Sequence, residues 1–151
     1  MQTDIHNTRV IVANRTGATL YLGHGNGGQL RLSREIDHPE GRLRERDRAA
    51  DRPGRGTSRK SGARHGLSPE ETGVEHDARM FALRLVDELE HERIQGAFDR
   101  LAVVAPPKLL GTIKNAMPGI LRGMLIATLD KDMRGLPSDL IREELNVRAM
   151  V

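Results

Sequence analysis

Short apolar runs dominate the first third of the chain, and runs at helical spacing join them only in the second half. Thr8 to Ala13 carries Val10, Ile11 and Val12; Ala18 to Leu22 follows, with Asn14-Arg15-Thr16-Gly17 between them. A continuous apolar run marks a strand covered on both faces, so the pair predicts a hairpin whose turn uses a positive φ at Gly17 or Asn14. Gln29 to Ser33 alternates Leu30 and Leu32 with Arg31 and Ser33, predicting a third strand near a sheet edge with its leucine face buried.

Helical spacing begins after Ser68-Pro69-Glu70-Glu71, a capping-box pattern with proline at the first helical position, and Gly73 separates that turn from the main helix. Ala78, Phe81, Ala82, Leu85 and Leu89 then share one helix face, with Asp87, Glu88, Glu90 and Glu92 on or near the other. Leu101 to Ala105 is a buried strand stopped by Pro106. Pro107 presets φ for a helix to about Met117, in which Leu109, Leu110 and Ile113 keep helical spacing. Pro118-Gly119 breaks it. Met124 to Leu129 predicts a fifth strand, extendable back to Ile120 with Gly123 as a kink, and Asp130-Lys131-Asp132 ends it. Pro137 opens a last helix with Leu140, Ile141 and Leu145 as the buried stripe. The order β-β-β-loop-α-β-α-β-α implies an α/β fold: a mixed sheet of about five strands with helices packed on it, in one domain spanning residues 1–151.

Between about Asp37 and Leu67 the pattern collapses into Arg, Asp, Gly and Ser, with Leu43 the one large apolar side chain, and a mobile loop is expected there. From Arg42 to His65, nine basic side chains face three acidic ones, a balance of +6 against +3 for the whole chain. Such a segment is suited to neutralising nucleic-acid phosphates, with Arg55, Arg59, Lys60 and Arg64 as the contacts. Three aromatic residues, Tyr21, Phe81 and Phe98, rule out the stacked-ring platforms of many single-strand binders. The absence of cysteine excludes a disulfide scaffold, a thiolate zinc site and a cysteine nucleophile. The start, MQTDIHNTRV, has no basic-then-apolar leader, and no window reaches the length of a membrane span, which gives the expectation of a cytosolic protein.

Motifs for chemistry fail on context. Gly23-His24-Gly25-Asn26-Gly27-Gly28 matches the dinucleotide fingerprint as a string, yet the strand-like Gln29 to Ser33 stands where the fingerprint needs a helix N-terminus. Gly54 to Ser61 is one residue from a phosphate-binding loop, with Arg59 in place of the second glycine and no strand before it. His91-Glu92 begins a zinc-protease helix, but the second histidine position is Gln95. No cofactor or metal is therefore expected. At the strand ends, Pro107-Lys108 opens a helix whose amides and lysine suit an anion, and Asn14, Lys131 and Asp132 are further strand-end candidates.

VANRTGATLY, ARMFALRLVDELE, FDRLAVVAPPKLLGTIK and LDKDMRGLPSDLIREEL, with the Arg/Gly loop among them, resemble the family of small bacterial host attachment proteins over nearly the whole chain. That family in turn is similar to the middle domain of archaeal and eukaryotic peptide release factors, which implies an α/β fold. In those factors a Gly-Gly-Gln loop follows the strand meander; here the loop in that place lacks the tripeptide, and Gly27-Gly28-Gln29 lies one strand earlier. The resemblance implies binding to ribosomal RNA or tRNA on the ribosome without peptidyl-tRNA hydrolysis, and an indirect part in attachment. Two alternatives stay open: a protein-interaction module using the acidic face Asp87 to Glu92, and a hydrolase with a site near Asn14, Lys108 and Asp132. Oligomeric state is left open.

Overall fold

The computed structural model describes residues 7–24, 29–43 and 72–149. Its frame is a five-stranded sheet of β1 (Asn7–Asn14), β2 (Gly17–His24), β3 (Leu30–Asp37), β4 (Arg100–Val104) and β5 (Leu125–Leu129) in the order β3-β2-β1-β4-β5. β1, β2 and β3 form the antiparallel meander, while β4 and β5 run parallel to β1, so the sheet is mixed, as expected. The helices are α1 (Gly73–Ile94), α2 (Pro107–Ala116), a single turn α3 (Gly119–Arg122) and α4 (Ser138–Ala149).

Strand alternation sends the sheet's side chains into two cores. Ile11, Ala13, Leu20, Leu101 and Val103 pack under α1 and α2, against Phe81, Leu85, Leu89, Leu110 and Ile113. On the other face Val10, Val12, Ala102, Val104 and Leu129 pack under α4, against Ile141, Leu145 and Met133 from the connection before it. Two covered faces explain why β1 and β4 are continuous apolar runs.

Five local expectations change. The Asn14 to Gly17 turn needs no positive φ at Gly17; among the described residues the glycines with that conformation are Gly96 and Gly135. Glycine is required at 17 by space, since a Cβ there would lie 2.7 Å from the Ile36 carbonyl oxygen and 3.0 Å from the Arg134 guanidinium. β3 runs four residues past Ser33, and a register shift opposite Leu20 and Tyr21 inverts its faces: Ile36 is buried and Leu32 is 61% exposed. An extra residue in one strand moves all later side chains to the opposite face. α1 is capped by Thr72, whose hydroxyl accepts from Glu75 N–H at 3.0 Å while the Glu75 carboxylate accepts from Thr72 N–H at 3.1 Å; Gly73 is the first residue of the helix, not a separator. Ser68 to Glu71 lie outside the described residues. Pro118 starts the turn α3, so the fifth strand does not reach back to Ile120. In α4 Leu140 is exposed, because Ile141 and Leu145, one turn apart, take the core-facing line.

Candidate functional site

Parallel strands β1, β4 and β5 end at one edge of the sheet, where β2 also starts and β3 ends. α1 and α2 begin at that same edge, at Thr72 and Pro107. In open α/β sheets this carboxyl edge is where ligands are bound.

On the α1 and α2 side the edge holds a cleft of about 220 Å³. Val74, Ala78, Phe81 and Leu109 give it an apolar floor; Arg15, His38, Glu75, Asp77, Lys108 and Thr112 complete the lining. His38, 5% exposed, lies flat on Phe81 with ring centroids 4.2 Å apart and planes 3° from parallel. Its Nδ1 meets the Arg15 carbonyl oxygen at 2.6 Å. A carbonyl oxygen only accepts, so Nδ1 carries a proton and donates to it. Nε2 stands 3.9 Å from the Glu40 carboxylate, beyond hydrogen-bond reach. Gly41, in the helical turn 39–43, closes this corner: a Cβ there would sit 1.9 Å from the Arg15 carbonyl oxygen and 2.5 Å from His38 Nδ1.

Lys108 reaches the cleft as expected, on the first turn of α2, and its ammonium stands 3.5 Å from the Glu75 carboxylate. Asn14 and Asp132 are brought together elsewhere on the edge, with Asn14 Nδ2 donating to Asp132 Oδ1 at 3.2 Å. Asn14 Oδ1 also accepts from Thr16 N–H at 2.9 Å and its hydroxyl at 2.8 Å, so this side chain builds the turn. Lys131 does not join them; it pairs with Glu144 of α4 at 3.2 Å. Arg134 straps the same connection to the meander, bonding Thr16, Thr19 and Glu35. Lys108 thus lines the cleft, and Asn14 and Asp132 do not. Arg55, Arg59, Lys60 and Arg64 lie outside the described residues. No group of three potential metal ligands occurs among the described residues.

At the far end of α1 the acidic face is turned inward. Arg9, 5% exposed, donates to Glu92 at 2.9 Å, to the Tyr21 carbonyl at 3.1 Å and to the Ser33 hydroxyl at 2.9 Å. Arg34 donates to Glu88 at 2.6 Å and to Glu92 at 3.2 Å, and the Glu88 hydrogen bond raises the guanidinium above its ordinary pKa. Arg93 hydrogen-bonds Glu90 and holds that carboxyl below the usual range. Glu88, Glu90 and Glu92 therefore serve the protein's own arginines.

His38, Arg15 and Gly41 escaped sequence reasoning, which had placed the pattern break at Asp37; the His38-Pro39 step straight after a strand was the available signal. The fold and edge define a mixed α/β protein with a half-apolar cleft at the carboxyl ends of its parallel strands. The chain belongs to the family described as proteins required for attachment to host cells, whose model matches residues 9–145. None of the curated proteins compared with it matches. Similar solved structures include an archaeal protein, at 12% identity and TM-score 0.44 over 93% of this chain, and an archaeal translation termination factor, at 13% identity and TM-score 0.42 over 91%. The chain spans 36% and 37% of those two proteins, little more than a third of either. Among the described residues no helix is long and apolar enough to cross a membrane.

Proposed function

We propose that this host-attachment-family protein is a non-enzymatic binding module that takes RNA, as on the ribosome, through the basic segment between Arg42 and His65. The carrying observation is how charge is divided. The segment holds +6 and the whole chain +3, so everything else sums to −3. Arg9, Arg34, Arg93 and Arg134 of the body pair with Glu92, Glu88, Glu90 and Glu35, and Arg42 at the start of the segment pairs with Asp37. The described residues on either side of it line the cleft: the turn 39–43 contributes Gly41, and the first turn of α1 contributes Val74 and Glu75. On this reading Arg55, Arg59, Lys60 and Arg64 meet phosphates, and any role in attachment is indirect.

The test is RNA binding by the full chain as a function of salt, with Arg55, Arg59, Lys60 and Arg64 replaced by Gln. Each phosphate contact to a single strand contributes ~0.7 to the slope of log K against log salt, so losing four lowers the slope by ~3 and weakens binding at low salt. An unchanged slope refutes the proposal.

A further inference from the structure

The two edges of the sheet are built differently. β3, at one edge, carries Arg31, Arg34, Glu35 and Asp37 and a register shift, the charges and irregularity by which proteins keep an edge strand from pairing with another chain. β5, at the other edge, reads LIATL, with no charge and no proline. Its one irregularity is the extra residue Ile126, between the partners of Leu101 and Ala102, which stands at the rim 43% exposed. Ile120, on the turn α3 that leads into the strand, is 65% exposed. An apolar edge strand left open is a template for a further strand.

The backbone of β5 fixes the register of that further strand. The Leu129 carbonyl accepts from Ala105 N–H at 3.0 Å, so the polar groups of Leu129 face β4. Alternation along the strand turns those of Thr128 and Ile126 the other way, where no strand meets them among the described residues. A second copy of the chain, related by a two-fold axis at Ala127, presents the same two residues in reverse order. Ile126 then lies opposite Thr128 of the second copy, and each such pair exchanges both N–H···O bonds.

Charge argues for a copy of this chain over an unrelated extended segment. Arg122, on the turn before β5, is exposed and has no ion pair among the described residues. Asp132, just past the strand, is exposed and accepts from Asn14 with one oxygen. The two stand equally far from Ala127 in sequence, one on each side, so the axis that pairs the strands also brings Arg122 of each copy to Asp132 of the other. Such a contact is self-complementary, as a two-fold interface must be. We propose that β5 is a dimer edge: two copies join β5 to β5, antiparallel about Ala127, into one continuous sheet, with Arg122 and Asp132 paired across the axis at both ends. The contact does not use the basic segment, so it stands apart from the RNA reading.

Sedimentation velocity of the full chain over a concentration series is the test. The chain dimerises reversibly, and Ile126→Lys, which sets a charge into the strand pair, weakens the dimer roughly tenfold. Arg122→Asp and Asp132→Arg each place like charges opposite one another, and each variant alone stays monomeric where the wild type is dimeric. Mixed in equal amounts the two variants dimerise again, because every pair across the axis is then one arginine and one aspartate. Mixing cannot restore a variant that has merely misfolded, so this arm separates a lost contact from a lost fold. In amide exchange, Ile126 and Thr128 gain protection as concentration rises. A chain that is monomeric at millimolar concentration overturns the inference and leaves the edge to an extended segment of another protein. A dimer indifferent to Ile126→Lys overturns it by placing the interface elsewhere, and so do charge variants that mixing fails to restore.

Discussion

Arg9→Met tests the buried ion pair that fixes the far end of α1 to the sheet. Methionine keeps most of the apolar stem and deletes the guanidinium, which serves Glu92, the Tyr21 carbonyl and the Ser33 hydroxyl. Side-chain exposure is 6% for Arg9 and 15% for Glu92, so water replaces the lost partner poorly. Removing one member of a buried pair costs about 3–5 kcal/mol. Arg34 still faces Glu92 at 3.2 Å, which places this case at the low end, ~3 kcal/mol, or a fall in Tm of roughly 6–12 °C for a chain of this size. Glu92→Gln keeps an acceptor for Arg9 but strands its charge, and costs ~2 kcal/mol. Arg9→Met with Glu92→Gln then costs less than the sum of the two by ~1–2 kcal/mol. The chain has no tryptophan, so urea unfolding is followed by far-ultraviolet circular dichroism, with equal m-values checking that the unfolded states match. A coupling within ~0.5 kcal/mol of zero would show that the two residues are neighbours without being partners, and the account of how α1 is held would be wrong.

Gly41→Ala places a methyl group against the Arg15 carbonyl and His38; it costs about 2–3 kcal/mol in thermal unfolding and shifts the His38 ring signals in NMR, whereas an unperturbed ring refutes the close packing. Thr72→Ala removes one half of the α1 capping box and costs ~1 kcal/mol by urea unfolding. Burial, with the Glu35 carboxylate beside it, holds the Tyr21 phenol above its ordinary pKa, opposed by Arg134. As the one tyrosine in the chain it can be titrated directly by tyrosinate absorbance: its midpoint lies above that of the unfolded protein and drops in Glu35→Gln. The sign for stability follows, because the folded state keeps the proton longer: stability is unaffected below the unfolded value and falls as pH rises toward the folded one.

Whether an element could be read from the sequence depended on how many of its faces are covered. β1 and β4, packed between two cores, announce themselves as Val10-Ile11-Val12 and Leu101 to Ala105, and α1 by its single apolar stripe. β3 was misread because one extra residue inverts an alternation that otherwise looks regular, so Leu32 seemed a core residue and Ile36, between the expected strand and the expected loop, was left unassigned. Lys108 could be placed on a helix N-terminus from Pro106-Pro107 alone. His38 could not be placed, because its role comes from a stack on Phe81, 43 positions away, and from a carbonyl on a different turn. The inward acids of α1 were hidden for a similar reason: Glu88 and Glu92 look like a solvated face until the bulge in β3 brings Arg34 under them.

Topology also explains why the carboxyl edge can host a charged insertion without cost to the body. β3 ends where β1, β4 and β5 end, and α1 must start at that edge so that it can carry the chain back for β4 to run parallel to β1. Any connection from β3 to α1 therefore leaves from and returns to one place, whatever its length. Doubling such a connection adds only ~0.6 kcal/mol of closure entropy. Among the described residues the ion pairs Arg9 with Glu92, Arg34 with Glu88 and Arg134 with Glu35 lie outside this connection, and Arg42 at its start pairs with Asp37. On the RNA reading, the basic content between Arg42 and His65 serves binding and not folding. Its replacement at Arg55, Arg59, Lys60 and Arg64 should leave the urea midpoint where it was while the salt slope for RNA falls.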